Sequence, residues 1–383
     1  MNNNNSWRGK LSVTWRDNTY LIDYDTNTTY YELTLHLHRL TQVSIDRLRL
    51  IGLAYNGKSS IPNNQPLKQL TMKYKDNVAQ LKMLGTPENE INSFIISVSN
   101  SSPSNKILNL NDFLFPFPSN TREYRKLNEF TNNTQIKFIS LPRENKKLLI
   151  LDLDHTLVDF TSMDITVSVD EMKRPFMDYF LAQAYQYYDL AIWSQTNWAW
   201  VEVKITELGL LNNKDYKICF VLDKTSMFSI RGSRCNIDTS NYCPNDSLKE
   251  KKLKVKPLHI IWGQHPEIWS EKNTIHVDDL SRNFLLNPKS GIAIKPFYRD
   301  PLELAQAKLE EGNMLVYEPG DELIKPTDDT ELLLLLKYLL HIAKAPNVTV
   351  YDHSIWRETV RSSISIEELT KSTNEHLSIS SER

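Results

Sequence analysis

Leu149-Ile150-Leu151-Asp152-Leu153-Asp154-His155-Thr156-Leu157 is the stretch on which the fold turns. The uninterrupted apolar run Leu148 to Leu151 reads as a strand buried on both faces, as strands of parallel sheets are. It emits two aspartates at its carboxyl end, the place where open parallel sheets hold their ligands, so both carboxylates face one small volume. Two close carboxylates repel, so one is held ionised by a cation while its neighbour can carry a proton. That divides the labour: Asp152 attacks phosphorus, Asp154 protonates the leaving oxygen and later deprotonates a water, and Thr156 bonds the phosphate or orients the loop. The bland alternative is an acidic strand end of the kind found in receiver domains or nucleotide-binding sheets.

Further along the chain the complementary groups follow in order. Arg174-Pro175 opens a helix with proline in its first turn, and Phe176, Phe180, Ala184, Tyr187 and Tyr188 form its apolar side. The strand Leu190-Ala191-Ile192-Trp193 delivers Ser194, whose hydroxyl can bond a phosphate oxygen, and Gln195 and Thr196 add backbone N–H groups near a helix that Asn197 caps and Gly209 ends. Lys256, in Val255-Lys256-Pro257-Leu258, supplies a charge to neutralise phosphate. Asp278-Asp279, after the strand Thr274 to Val277, completes an oxygen cage with Asp152 and the carbonyl of Asp154, a donor set that suits Mg2+. Strands alternating with helices from Lys146 onward, with another strand at Ile218 to Leu222, predict an α/β fold with a mainly parallel sheet. Arg231 to Lys254 is polar enough to read as a disordered insertion.

Upstream, Leu11 to Leu84 reads as a separate α+β unit. Leu11 to Trp15 and Tyr20 to Tyr24 alternate around an Asp17-Asn18 turn; Tyr31, Leu33, Leu35, Leu37 and Leu40 predict a helix; Arg49 to Leu53 runs into the Asn56-Gly57 turn; and Ala79 to Gly85 is a last strand. Hairpin, helix, strand, turn, strand is the order of the ubiquitin-like β-grasp. The organisation predicted is a ubiquitin-like domain at 8–86, a linker at 87–140 holding the apolar island Phe113-Leu114-Phe115-Pro116-Phe117-Pro118, a catalytic α/β domain at 141–362 and a flexible tail at 363–383, with Leu332 to Ala343 as a helix.

Composition excludes several classes. Over 383 residues the net charge is −2 at pH 7, so neither a nucleic-acid surface nor an acidic tail dominates. Leu332 to Leu340 is interrupted by Lys337 and too short to span a bilayer, so no membrane association is expected. Met1-Asn2-Asn3-Asn4-Asn5-Ser6-Trp7 carries no secretory or mitochondrial pattern. Cys219, Cys235 and Cys243 lack paired metal spacing and fit a reducing compartment.

Asp152-Leu153-Asp154-His155-Thr156, Ser194, Lys256 and Asp278-Asp279 resemble the four motifs of the haloacid dehalogenase (HAD) superfamily, and the tryptophans with Arg174-Pro175 resemble its FCP/SCP-like branch. Leu50-Ile51-Gly52-Leu53, Met83-Leu84-Gly85-Thr86, Pro142 to Leu149, Ile192 to Asn197, Ile261-Trp262-Gly263 and Asp278 to Leu285 extend the likeness. The chain as a whole resembles the ubiquitin-like-domain-containing CTD phosphatases. The resemblance implies a nuclear, Mg2+-dependent protein serine/threonine phosphatase that docks on the 19S regulatory particle of the 26S proteasome and acts on its subunits, or on the RNA polymerase II C-terminal domain. Small-molecule enzymes of the HAD superfamily tend to carry a cap over the site, and Asp159 to Arg174 is too short for a large one, so the resemblance implies an open site and a protein substrate. A monomer is expected. In the ubiquitin-like fold the exposed face of the Arg49 to Leu53 strand commonly binds receptors, which nominates Arg49, Ile51 and Lys58 for docking. Two departures stand out: the long 231–254 stretch beside the lysine motif, and Leu53-Ala54-Tyr55-Asn56, which is less basic than its counterparts. The rival reading is a non-catalytic ubiquitin-like adaptor on the proteasome. Asp152, Asp154, Lys256 and Asp279 together favour the enzyme, since a scaffold has no need of clustered acids and a lysine.

Overall fold

Alternation over Arg8–Trp15 (β1) and Asn18–Asp25 (β2) makes an antiparallel hairpin that buries Leu11, Val13 and Trp15. In this computed structural model, which describes residues 8–25, 27–57, 61–87, 90, 121–160, 168–232, 251–299 and 328–361, Trp15 pairs with Asn18. The turn is therefore Arg16-Asp17, one residue earlier than expected, with Arg16 at φ 53. Helix α1 (Tyr30–Thr41) starts at a capping box in which the Thr29 hydroxyl accepts from the Glu32 N–H and the Glu32 carboxylate accepts from the Thr29 N–H. Leu33 and Leu37 point into the core, whereas Tyr31 and Leu40 stay largely exposed. Gly52 at φ 94 separates β3 (Arg49–Ile51) from β4 (Leu53–Ala54), and Asn56-Gly57 turn with both φ positive.

Sequence reading missed β5 (Thr71–Lys75), most of whose side chains are exposed, so no buried alternation marks it. Asp76-Asn77, both at positive φ, return the chain into β6 (Val78–Leu84), which buries Ala79, Leu81 and Met83. The strand order β2-β1-β6-β5-β4, with β1 and β6 parallel and β3 beside β6, is that of a β-grasp.

The later elements begin with α2 (Arg122–Asn133), which lies inside the predicted linker. Only Leu127 and Thr131 on it are buried, so its apolar periodicity is too sparse to read. The elements that follow are β7 (Lys147–Leu151), α3 (Met177–Tyr185), β8 (Tyr188–Trp193), α4 (Trp198–Glu207), β9 (Ile218–Leu222), β10 (Phe228–Gly232), β11 (Lys251–Val255), α5 (His259–Gln264), β12 (Thr274–Asp278), β13 (Gly291–Ala293), α6 (Glu331–Ala343) and α7 (Trp356–Arg361). Five strands form an all-parallel sheet ordered β13-β12-β7-β8-β9, an α/β architecture as expected.

Three boundaries differ from expectation. Phe176 takes φ 66, so α3 starts at Met177 rather than at Arg174-Pro175, and Tyr188 belongs to β8. Both ends of the 231–254 stretch are strand, because β10 and β11 pair antiparallel from Phe228↔Val255 to Gly232↔Lys251. The Phe113–Pro118 island, Cys235, Cys243 and the tail beyond Arg361 lie outside the described residues. Among the described residues no helix is long and apolar enough to cross a membrane.

The chain divides into two units. One comprises Met1–Ile96, Phe160–Lys173 and Trp198–Asn213; the other comprises Ser97–Asp159, Arg174–Asn197 and Lys214–Arg383.

Candidate active site

All the site residues described below, apart from the docking set, belong to the second unit; Asp152, Ser194 and Asp278 stand at the carboxyl ends of the adjacent parallel strands β7, β8 and β12, whereas Lys256 follows β11 of the separate antiparallel pair. Asp152 follows β7 directly and its N–H donates to the Val277 carbonyl of β12 at 2.9 Å, which fixes where the carboxylate emerges. The chain then tightens: the His155 N–H donates to the Val158 carbonyl at 2.7 Å and the Leu157 N–H to the Leu153 carbonyl at 3.0 Å, with His155 at φ 60. His155 stacks on Tyr298 at 4.2 Å.

Lys256, fully buried just after β11, donates to Asp152 Oδ1 and to Asp278 Oδ2, each at 2.5 Å. Burial works against the ammonium, but Asp152 and Asp278 outweigh it and hold Lys256 charged. The two carboxylates fare differently. Asp278 also accepts from Asn283 Nδ2 at 2.8 Å and from the Leu280 N–H at 2.9 Å. Burial would raise its carboxyl, yet the Lys256 charge beside it leaves it below the usual carboxylate range. Among the described residues Asp152 has Lys256 as its side-chain donor, and burial lifts its carboxyl to about 7 against that charge, with Asp278 and Asp154 adding to the rise. Asp279 is pushed well above the ordinary value by burial and then by Asp278 and Asp152.

Carboxylate oxygens of Asp152, Asp278 and Asp279 lie within 4.8 Å of one another. Three buried hard-oxygen donors sharing one lysine leave uncompensated negative charge, which a small divalent cation fits. Asp278 has its oxygens committed to protein donors, so the charge still to be met is on Asp152 and Asp279. The Asp154 side chain is outside this group of three.

Of the remaining predicted residues, Ser194 Oγ lies 3.5 Å from Asp154 Oδ2 and 2.9 Å from Thr196 Oγ1, while the Thr196 N–H donates to it at 3.1 Å. Thr156 Oγ1 is buried and has no hydrogen-bond partner among the described residues. Gln195 is half-buried in the loop after β8. The structure thus gathers Asp152, Lys256, Asp278 and Asp279 in one cluster and pairs Asp154 with Ser194.

The docking set belongs to the first unit. Arg49 Nη1 donates to the Asp46 and Leu48 carbonyls at 2.7 and 2.9 Å. Leu50 packs on the β-grasp core, whereas its neighbour Ile51 is half-buried and is not among the residues packed there. Lys58 lies outside the described residues.

Two residues with evident work at the site were not singled out for it. Asn283, fully buried, orients Asp278. Arg174, 1 % exposed, donates to both carboxylate oxygens of Asp329 at 3.1 and 2.8 Å and to the carbonyls of Thr156 and Lys295 at 3.2 and 2.9 Å. It thereby pins the loop that carries Asp154 and Thr156. As a sequence, Arg174-Pro175 signalled a helix start and a family likeness, but no role at the site.

Known proteins resemble this chain along most of its length. Residues 147–311 match the family described as NLI interacting factor-like phosphatase. Ubiquitin-like domain-containing CTD phosphatase 1 of Homo sapiens is 31% identical over 347 residues, covering 90% of this chain and 96% of its own. The protein of the same description from Gallus gallus is 32% identical over 352 residues, again with 90% and 96% coverage. Among solved structures, that of Fcp1, an essential RNA polymerase II CTD phosphatase, aligns at 16% identity with a TM-score of 0.31, over 52% of this chain and 63% of that one. With a β-grasp at its start and an acid–lysine cluster on a parallel sheet behind it, this chain is a protein phosphatase and belongs to the family of ubiquitin-like domain-containing CTD phosphatases.

Proposed function

We propose that this protein is a Mg2+-dependent protein serine/threonine phosphatase that works through a phosphoaspartate on Asp152. Its ubiquitin-like domain, residues 8–86, docks it on the 19S regulatory particle of the proteasome, whose subunits are its substrates, and it resides in the nucleus. The observation that carries the catalytic part is Lys256 held between Asp152 and Asp278, with Asp279 beside them. A purely structural cluster has no cause to bury three carboxylates against one ammonium, because such burial costs stability.

Chemically the roles separate. Asp152 Oδ2, the oxygen not bonded to Lys256, attacks phosphorus while Asp154 gives its proton to the seryl or threonyl oxygen, and the phosphorus–oxygen bond to the substrate breaks. Asp154, now a carboxylate, then takes a proton from water whose oxygen attacks the same phosphorus; the bond to Asp152 breaks and phosphate leaves. Ser194 orients Asp154, the unpaired Thr156 hydroxyl and the loop N–H groups at Gln195 and Thr196 are available to phosphate oxygens, and Lys256 offsets charge through both steps. Asp152, Asp279 and the Asp154 carbonyl would hold Mg2+, with Asp278 positioning Lys256; bound there, the ion supplies positive charge to the phosphate and keeps Asp152 ionised.

The test is phosphate release from phosphoserine, phosphothreonine and phosphotyrosine peptides drawn from proteasome subunits and from the polymerase tail. The reading expects release from the first two types, abolition by EDTA and restoration by Mg2+. No release from any peptide would return the protein to the adaptor reading, and unchanged activity in EDTA would remove the metal.

A further inference from the structure

Within the first unit, Leu84 is 1 % exposed although it is not part of the β-grasp core formed by Ala79, Leu81 and Met83. It pairs with Arg49, and Lys82 with Ile51, so the β3–β6 edge places Arg49 and Leu84 side by side. This segment meets α4, which is placed in the same unit. Arg47 Nε lies 3.3 Å from Glu202 Oε1, with the two side chains only 28% and 8% exposed. The Arg49 guanidinium lies 5.7 Å from the Trp200 ring centroid, and the Gly85 N–H donates to Glu207 Oε1 at 3.2 Å. Cations and a free N–H on one side thus meet carboxylates and an aromatic face on the other.

We infer that α4 is the resident ligand of the β3–β6 surface. The partner class this surface fits is a helix carrying an aromatic residue among carboxylates, and an outside receptor of that class has to displace α4 to reach Arg49. The inference deepens the docking reading above: the nominated docking surface is self-masked. A receptor helix would replace the same three contacts, an ion pair to Arg47, an aromatic face for Arg49 and a carboxylate at the Gly85 N–H. Masking lowers the apparent affinity of any receptor by the fraction of molecules in which α4 is released.

The test uses the full chain with Arg47→Glu, Glu202→Arg, the two combined, and the milder Glu202→Gln. Amide hydrogen exchange is followed at 49–51, 82–85 and 200–207. Each single change should speed exchange there by about three- to tenfold, the range a partly buried ion pair supports, and the swapped pair should return it toward wild type. Hydrolysis of a small phosphate ester reports folding, since neither residue belongs to the catalytic set. Unchanged exchange in the singles, or a swapped pair no slower than they are, would overturn the inference. In a second arm, purified 19S regulatory particle is the probe: Glu202→Gln leaves the sheet surface intact, so it should bind about threefold tighter than wild type. Equal, measurable affinities contradict masking, whereas absence of binding by both proteins counts against proteasome docking itself and leaves the exchange result to decide the masking.

Discussion

Replacing Asp152 by Asn should kill the enzyme and stabilise the metal-free protein. Burial lifts the Asp152 carboxyl from its ordinary 3.8 to about 7, opposed by Lys256. A folded-state value above the unfolded one means that the native protein binds the extra proton. Stability is therefore lost as pH rises from about 4 to about 7 and the full cost persists above that. The gap of about 3 pH units corresponds to at most about 4 kcal/mol at about pH 8. Asn has the shape of the protonated acid and keeps an oxygen for Lys256, so the variant escapes that cost; neutrality at 152 also relieves Asp279, which adds in the same direction. For a domain of this size the gain corresponds to a rise in Tm on the order of 10 °C. The assay is urea and thermal unfolding in EDTA across pH, with the difference shrinking toward about pH 4 as wild-type Asp152 takes its proton. A variant no more stable than wild type at about pH 8, or a difference that does not vary with pH, refutes the electrostatic reading of the cluster.

Asp279→Ala should raise the Mg2+ concentration for half-maximal activity by at least about tenfold, as loss of a ligand does. Asp278→Ala should instead lower kcat with a smaller change in metal requirement, because it frees Lys256; a metal titration of both variants separates them. Arg174→Met should cost about 3 kcal/mol in urea unfolding, since it strands Asp329 and the Thr156 and Lys295 carbonyls. Thr156→Val removes a hydroxyl with no protein partner, so stability should hold or rise by about 1 kcal/mol while KM for a phosphopeptide increases; an unchanged KM takes Thr156 out of phosphate binding.

The strand and its two aspartates were legible because Leu148 to Leu151 is apolar without a break and stops sharply at Asp152. Lys256 was legible only by its order among the motifs. Its contacts join residues 104 and 22 positions apart, and nothing in local periodicity reports such a meeting. The division between Asp278 and Asp279 needed the three donors on Asp278, two from the loop just after it, Leu280 and Asn283, and one from Lys256, whose side-chain directions sequence does not give. The role of Arg174 at the site was not legible because an arginine before proline reads as a helix start, and its partner Asp329 lies 155 residues away. In the β-grasp, β5 was invisible because both its faces are largely exposed; outside it, α2 was invisible because two buried residues make no stripe. The 231–254 stretch read as disordered from its Asn, Ser and Lys content, yet its ends pair as strands, and Leu253 packs with Ile230 on the cluster of Leu127, Phe228, Val255 and Leu286, a meeting that local composition does not report.

The most direct test is chemical trapping of the acyl phosphate. Asp154→Asn cannot protonate a seryl oxygen, so it is given an aryl phosphate, whose leaving group departs without a proton; with Mg2+ it should form the intermediate and hydrolyse it slowly, and the mixture is quenched in acid and reduced with borohydride. The account predicts homoserine at position 152, found by peptide mass spectrometry and absent when the aryl phosphate is omitted. Aspartate intact at 152 in wild type and Asp154→Asn alike, while wild type releases phosphate from the same ester, would contradict it.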